Sequence, residues 1–363
     1  MKKSLIALAA LAATASFAQS SVTLSGNLDF AYGNVSGTQA GIKGNTVATS
    51  GGVVSSTSVI NIIAVEDLGG GMKATAKYSF DPRAVANDNA AFTAAGNTLA
   101  TKNKLTAFGK DELFVGIEGG FGNIRLGSPN SIGLRSHLDS SPLGTGIGAG
   151  YTAGGVVGSM TMLYSTIRYN RSVSYDSPNF NGFTVSALYA PGNDEPMITG
   201  GETALDIPNA RKTTELGVSY ANGPLKVSYV NIAQAAQTNA TGWYSSSSLA
   251  NSAKTSVNAI NANYKLGSTT LYAGWVDGDT LAATPVKGYR VAAKQKLGAI
   301  DLIAQYTELK VGATEVKNKV TGLRADYNLS KTNAVYVAYE DNDNGATTAN
   351  TRKVASVGIR KSF

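Results

Sequence analysis

Residues 351–363 read TRKVASVGIRKSF and end the chain. Every second residue back from the end gives one face, Phe363, Lys361, Ile359, Val357 and Ala355. The other face is Ser362, Arg360, Gly358 and Ser356. This period-two alternation of apolar against small or polar residues is the pattern of a half-buried β-strand. It closes on an aromatic residue. Many similar segments elsewhere in the chain make it the closing stave of a barrel whose outer face meets lipid.

Composition supports this. The chain has 363 residues with 41 Gly, 17 Tyr and no Cys, and its mean hydropathy is near zero. Residues 1–18 carry Lys2 and Lys3, an apolar run and small residues at Ser16 and Ala18, as a secretory signal cleaved before Gln19 would. The apolar run is about 15 residues, short of the roughly 20 that span a bilayer. Residues 19–363 are expected to form one domain. Without Lys2 and Lys3 the formal charge falls from +7 to +5, and the charges are scattered, with no basic block for nucleic acid. No cysteine excludes a disulfide scaffold. No long apolar run follows the signal, but strands that alternate lipid-facing and lumen-facing residues need none.

The expected fold is all-β, a transmembrane antiparallel barrel of 16 strands. Segments 21–33, 57–68, 71–81, 111–119, 122–127, 163–177, 182–190, 212–220, 225–232, 256–265, 269–276, 287–296, 300–309, 318–328, 333–340 and 352–363 alternate in the required way. Seven tight turns, such as Gly69-Gly70-Gly71 and Ala221-Asn222-Gly223-Pro224, alternate with eight longer connections. The longest, about 128–162, holds Arg135, His137 and Asp139, and a loop of that length is usually functional. Strand-end aromatics, among them Tyr189, Tyr229, Tyr264, Trp275, Tyr327 and Tyr339, share the outward parity of an interfacial girdle.

Catalysis finds little material. The chain has one His, no Cys and no metal-ligand spacing, and its glycine triplet joins two strands as a turn rather than cradling a phosphate. No enzyme activity, cofactor or metal is expected.

Several segments resemble the Gram-negative general porins of the sixteen-stranded trimeric type, especially the betaproteobacterial branch. They are Ser21-Val22-Thr23-Leu24-Ser25-Gly26, Glu66-Asp67-Leu68-Gly69-Gly70-Gly71-Met72-Lys73-Ala74, Phe114-Val115-Gly116-Ile117, Phe121-Gly122-Asn123-Ile124-Arg125-Leu126-Gly127, Ser172-Val173-Ser174-Tyr175-Asp176-Ser177-Pro178-Asn179-Phe180-Asn181-Gly182 and Val357-Gly358-Ile359-Arg360-Lys361-Ser362-Phe363. The resemblance implies an outer-membrane location, a homotrimer in lipid and a water-filled path for ions and small hydrophilic solutes. It also implies a third loop folded inward, and a C-terminal aromatic, Phe363, that barrel assembly machinery reads. In this family an arginine ladder faces acids on the third loop. Here Val59, Ile63 and Ser128 stand at usual ladder positions, and Asp111 replaces an arginine.

The remaining candidates for the constriction or lumen are Arg125, Arg168, Asp139, Lys73, Lys77, Arg290 and Lys294, by parity or by place in the long loop. The expectation is a weakly selective or shifted pore. A substrate-selective channel for sugars or carboxylates, and a non-conducting structural or adhesive surface protein, stay open as alternatives.

Overall fold

The computed structural model describes residues 20–38, 46–55, 58–82, 109–148, 167–192, 212–236, 253–279, 285–343 and 351–363. The expected signal segment 1–18 lies outside them. The strands are β1 (Ser21–Thr38), β2 (Thr46–Ser55), β3 (Val59–Gly69), β4 (Met72–Asp81), β5 (Gly109–Gly119), β6 (Gly122–Ser128), β7 (Ser172–Asp176), β8 (Phe183–Ala190) and β9 (Thr213–Asn222). They continue with β10 (Leu225–Gln234), β11 (Thr255–Leu266), β12 (Thr269–Asp279), β13 (Pro285–Leu297), β14 (Ile300–Val311), β15 (Val316–Asn328), β16 (Asn333–Asp343) and β17 (Thr351–Ser362). One α-helix, α1 (Ile132–Leu138), occurs among the described residues.

Each strand from β3 on pairs antiparallel with the next, and β17 returns to β1 through Asn27↔Ser362 to Gly37↔Arg352. The sheet is therefore closed, which removes the free edges that an open sheet would leave unpaired in a membrane. Its last residue locks the closure: Gly26 N–H donates to Phe363 O at 2.9 Å, and Phe363 N–H donates to Gly26 O at 3.1 Å. Gly26 leaves room for the aromatic ring, since a Cβ there would lie 2.6 Å from Phe363 Cζ.

The barrel has sixteen staves made of seventeen strands. The expected second strand, 57–68, is the lower part of a longer stave in which β2 and β3 both pair with β1. Phe30 faces Ser55 whereas Asn27 faces Val59, a one-residue register step that breaks the stave in two. At the break, Ser58 Oγ accepts from Asp29 N–H at 2.9 Å. Two further boundaries differ from expectation. In the described part of the sixth segment, 167–177, the strand is β7 alone, and Arg171 turns the chain at φ 54° just before it, while 163–166 lie outside the described residues. The β14–β15 connection is a four-residue turn, 312–315, rather than a longer loop.

Parity is as the terminal strand indicates. Val357, Ile359 and Phe363 are exposed, as are Leu216, Tyr229, Trp275, Val291, Tyr327 and Tyr339 on other strands. These residues form the lipid-facing surface. The opposite parity faces inward, and it is not uniform. On the inner parity of β8 and β10 to β15, toward the loop end, Leu188, Val230, Ile232, Val257, Val276, Val286, Leu309 and Val320 are all buried. On β3, inner-parity Val59, Asn61 and Ile63 are only partly buried. The inner face of β8 and β10 to β15 is thus packed with apolar side chains, whereas inner-parity residues of β3 are less covered.

Candidate functional site: a segment across the barrel and the charges that hold it

The chain after β6 leaves the wall and packs against inner-parity side chains of the opposite half. Ser131 caps α1 by accepting from Leu134 N–H at 3.0 Å. The helix start is tied to β9, where Glu215 accepts from Gly133 N–H at 2.9 Å. Ile132 joins the apolar cluster, and a Cβ on Gly217 would lie 2.6 Å from its Cγ2. Ser136 Oγ lies 2.9 Å from Ser228 Oγ and accepts from Asn261 Nδ2 at 2.8 Å, which joins the helix to β10 and β11.

Beyond the helix, Arg324 Nη1 of β15 donates to Ile147 O at 2.9 Å, and Gly148 N–H donates to Glu340 of β16 at 2.5 Å. Gly322 admits this approach: a Cβ there would lie 2.0 Å from Gly148 O. The segment therefore crosses from β6 toward β15 and β16 and is fastened by polar residues on five strands, β9, β10, β11, β15 and β16.

Charged side chains concentrate at both ends of this crossing, almost always as opposites. At its start, Lys77 of β4 pairs with Glu112 of β5, and Glu112 also accepts from Asn130 N–H at 2.9 Å. Asp111 pairs with Arg168. On strict alternation Asp111 would share the outward parity of Leu113. However, Tyr78 faces Leu113 while Phe80 faces Lys110, so a bulge sets Asp111 and Glu112 together opposite Ser79. Arg168 reaches Asp111 from an isolated bridge with Asn130, not from a regular strand.

Beside the helix, Asp176 of β7 binds two guanidinium groups. Arg125 Nη1 of β6 lies 2.6 Å from its Oδ2, and Arg135 Nη1 of α1 lies 2.9 Å from both oxygens. Ser186 Oγ donates to Asp176 Oδ1 at 2.6 Å. Asp139 pairs with Lys226 of β10 at 2.7 Å, and its carbonyl accepts from Asn263 at 2.9 Å. His137 is buried against Arg290 of β13, with Nδ1 3.3 Å from Arg290 Nη1. Burial, then the Arg290 charge, hold the His137 imidazole well below its ordinary range, so it stays neutral at physiological pH.

Of the residues singled out from sequence, Arg125, Arg168, Asp111, Asp139, Lys77 and Arg290 all meet the crossing segment or the residues that fasten it. Lys73 and Lys294 do not. Lys73 pairs with Glu118 at 3.9 Å and Lys294 with Asp301 at 3.1 Å, both close to the tight turns. Lys294 lies four residues from Arg290, about 13 Å along a strand. Ser128 is buried at the end of β6, where Gly127 has φ 136°. Sequence reasoning missed the acids Glu112, Asp176 and Glu215 and the cation Lys226. Each lies on the inner parity of its strand, a signal present in the sequence but shared with many inner residues.

A second network crosses the barrel's closure. Tyr336 of β16 reaches over Gly358 of β17 and donates to Asp29 of β1 at 2.5 Å. The Arg324 guanidinium stacks on the Tyr336 ring at 3.6 Å, and its Nε donates to Asp326 at 2.5 Å. Arg360 lies 3.4 Å from the other Asp326 oxygen. The terminal strand thus supplies the gap at Gly358 and the cation at Arg360.

A closed antiparallel barrel with apolar residues outward and paired charges inward defines a transmembrane outer-membrane barrel. The profile of the Gram-negative porin family matches residues 5–347, and the chain belongs to that family. It is 34% identical over 236 residues to outer membrane porin protein 32 of Delftia acidovorans, spanning 63% of this chain and 58% of that protein. It is 32% identical over 240 residues to major outer membrane protein P.IB of Neisseria gonorrhoeae, spanning 64% of this chain and 58% of that protein. The match thus spans under two thirds of the length of these curated relatives. An anion-selective porin from Comamonas acidovorans has the same fold, with a TM-score of 0.67 at 20% identity over 95% of this chain and 100% of that one.

Proposed function

We propose that the chain forms a water-filled pore for passive diffusion of ions and small hydrophilic solutes across the outer membrane. The segment 130–148 is its constriction, and the path runs along the β1 to β6 half. One observation carries this reading: inner-parity Val59, Asn61 and Ile63 of β3 are only partly buried, whereas Leu188, Val230, Val257, Val276, Val286, Leu309 and Val320 are buried. The wall along β3 presents Val59, Asn61 and Ile63 where a ladder of arginines would create a strong transverse field.

Arg125, Arg168, Lys77 and Lys226 each have a carboxylate within ion-pair distance. Paired charges present a permeating ion with dipoles rather than net charge, so ion preference is weak. The anion selectivity of the Comamonas protein does not carry over to such a wall. Potassium and chloride permeabilities measured across a planar bilayer test this. Sieving by size in swelling liposomes separates a general pore from a channel specific for sugars or carboxylates. A protein without conductance would be a structural one.

The subunits assemble as a homotrimer, and Phe363 serves as the signal that barrel assembly machinery reads, besides docking on Gly26. Deleting Phe363 is expected to lower the amount of folded trimer in the outer membrane and to leave single-channel conductance unchanged. Gel migration of unheated membranes reads the amount and the oligomeric state, and planar-bilayer recordings read the conductance. Normal amounts of the truncated protein would refute the signal, and a monomer band for the full chain would refute the trimer.

A further inference from the structure

A cavity of about 310 Å³ opens between the end of the crossing segment and the tight-turn ends of β1, β15, β16 and β17. It lies away from the Arg125, Asp176 and Arg135 cluster. Three cations line it, Arg324, Lys331 and Arg360, against one carboxylate, Asp29. That carboxylate is already engaged, accepting from Tyr336 and lying 3.7 Å from Arg324. Behind the cavity Asp326 binds both guanidinium groups and so fixes their positions.

The cations are not used up by these contacts. Arg324 Nη2 is buried without an acceptor among the described residues. Arg360 keeps a third of its side chain exposed, and its ion pair, at 3.4 Å, is long. Lys331 stands in the exposed β15–β16 turn, and none of the ion pairs of the described residues uses it. Lysine and arginine only donate hydrogen bonds, and they bind carboxylate and phosphate oxygens most strongly. A half-enclosed hollow with excess donors and net positive charge therefore selects small oxyanions.

We propose that this cavity is a binding site for small organic dianions bearing carboxylate or phosphate groups, at the tight-turn mouth of the pore. A dianion places one charged end between Arg360 and Lys331, and passing solutes of this class dwell there before leaving or entering. The site rests on the pore reading, and it makes the channel favour dianions by residence without a strong preference between potassium and chloride. Because the ion contacts are partly exposed, added salt weakens binding.

The test uses the full-length protein in planar bilayers with succinate as probe, added to one side at a time in symmetric KCl. Succinate on the tight-turn side is expected to reduce the current at lower concentration than on the loop side. Lys331→Gln, in an exposed turn, and Arg360→Gln are each expected to raise the half-blocking concentration about three- to tenfold, as loss of one charge-assisted contact would. Calorimetric titration of the detergent-solubilised protein with succinate and with inorganic phosphate gives a readout independent of conduction, and the same two variants are expected to weaken that binding. No conductance in KCl alone would overturn the pore reading and leave calorimetry to judge the site. Normal KCl conductance with equal block from both sides, or titrations that Lys331→Gln leaves unchanged, would overturn the site.

Discussion

Asp176→Asn is expected to raise the chloride-to-potassium permeability ratio about tenfold. Among the described residues Asp176 is the carboxylate that pairs with both Arg125 and Arg135, and its neutralisation leaves two guanidinium groups facing the passage. At about 6 Å in a water-like dielectric, one unit charge shifts chloride and potassium by about 0.7 kcal/mol each in opposite directions, so their ratio moves by roughly tenfold. The site lies within about one Debye length of a passing ion, so the shift shrinks as salt rises. Asn keeps the size of the side chain and an oxygen for the Ser186 hydroxyl, and the barrel is expected to fold. Reversal potentials of wild type and variant in one KCl gradient check this. An unchanged ratio would place Asp176 off the path of the ions.

Gly358→Val is expected to remove most of the folded barrel. A Cβ at position 358 would lie 2.2 Å from Tyr336 Cζ and 2.4 Å from its hydroxyl, so the ring must leave its place over the terminal strand. Overpacking costs about 1–3 kcal/mol. Losing the hydrogen bond to the charged Asp29 costs about 1.5–3 kcal/mol more. Together these approach a large part of a typical domain's 5–15 kcal/mol. Tyr336→Ala clears the space, so the double variant is expected to recover part of the loss, a coupling that independent sites lack. Urea midpoints from the heat-modifiable gel shift measure it. A Gly358→Val protein as stable as wild type would mean that Tyr336 does not brace the closure.

The sequence displays the barrel plainly and the site only in part. Alternation in 351–363, repeated along the chain with tight turns between, is a direct consequence of strands with lipid on one side and an interior on the other. Parity also placed Arg125 and Arg290 inward. It fails where the backbone steps out of register. Asp111 turns inward only because a bulge doubles it with Glu112, and the second stave breaks because Phe30 and Asn27 pair in different registers. Height is hidden too: Arg290 and Lys294 share a face, yet one meets His137 and the other sits near a turn. The partners of a lumen charge depend on which strands the crossing segment reaches. That path is set by caps and close approaches at Ser131, Gly217 and Gly322, not by periodicity.

The terminal strand is therefore more than the last stave. It closes the sheet through Phe363, leaves space for Tyr336 at Gly358, and places Arg360 beside Asp326. These contacts position the wall against which the crossing segment ends. The central claim is that the passage left beside that segment is wet and nearly neutral.

The most direct test is the zero-current potential of single wild-type channels across a KCl gradient. Discrete conductance steps with a permeability ratio within about tenfold of unity are the predicted result, since among the described residues beside the segment Arg125, Arg135 and Asp176 leave one cation in excess. Absence of steps, or a strong preference for chloride, would contradict it.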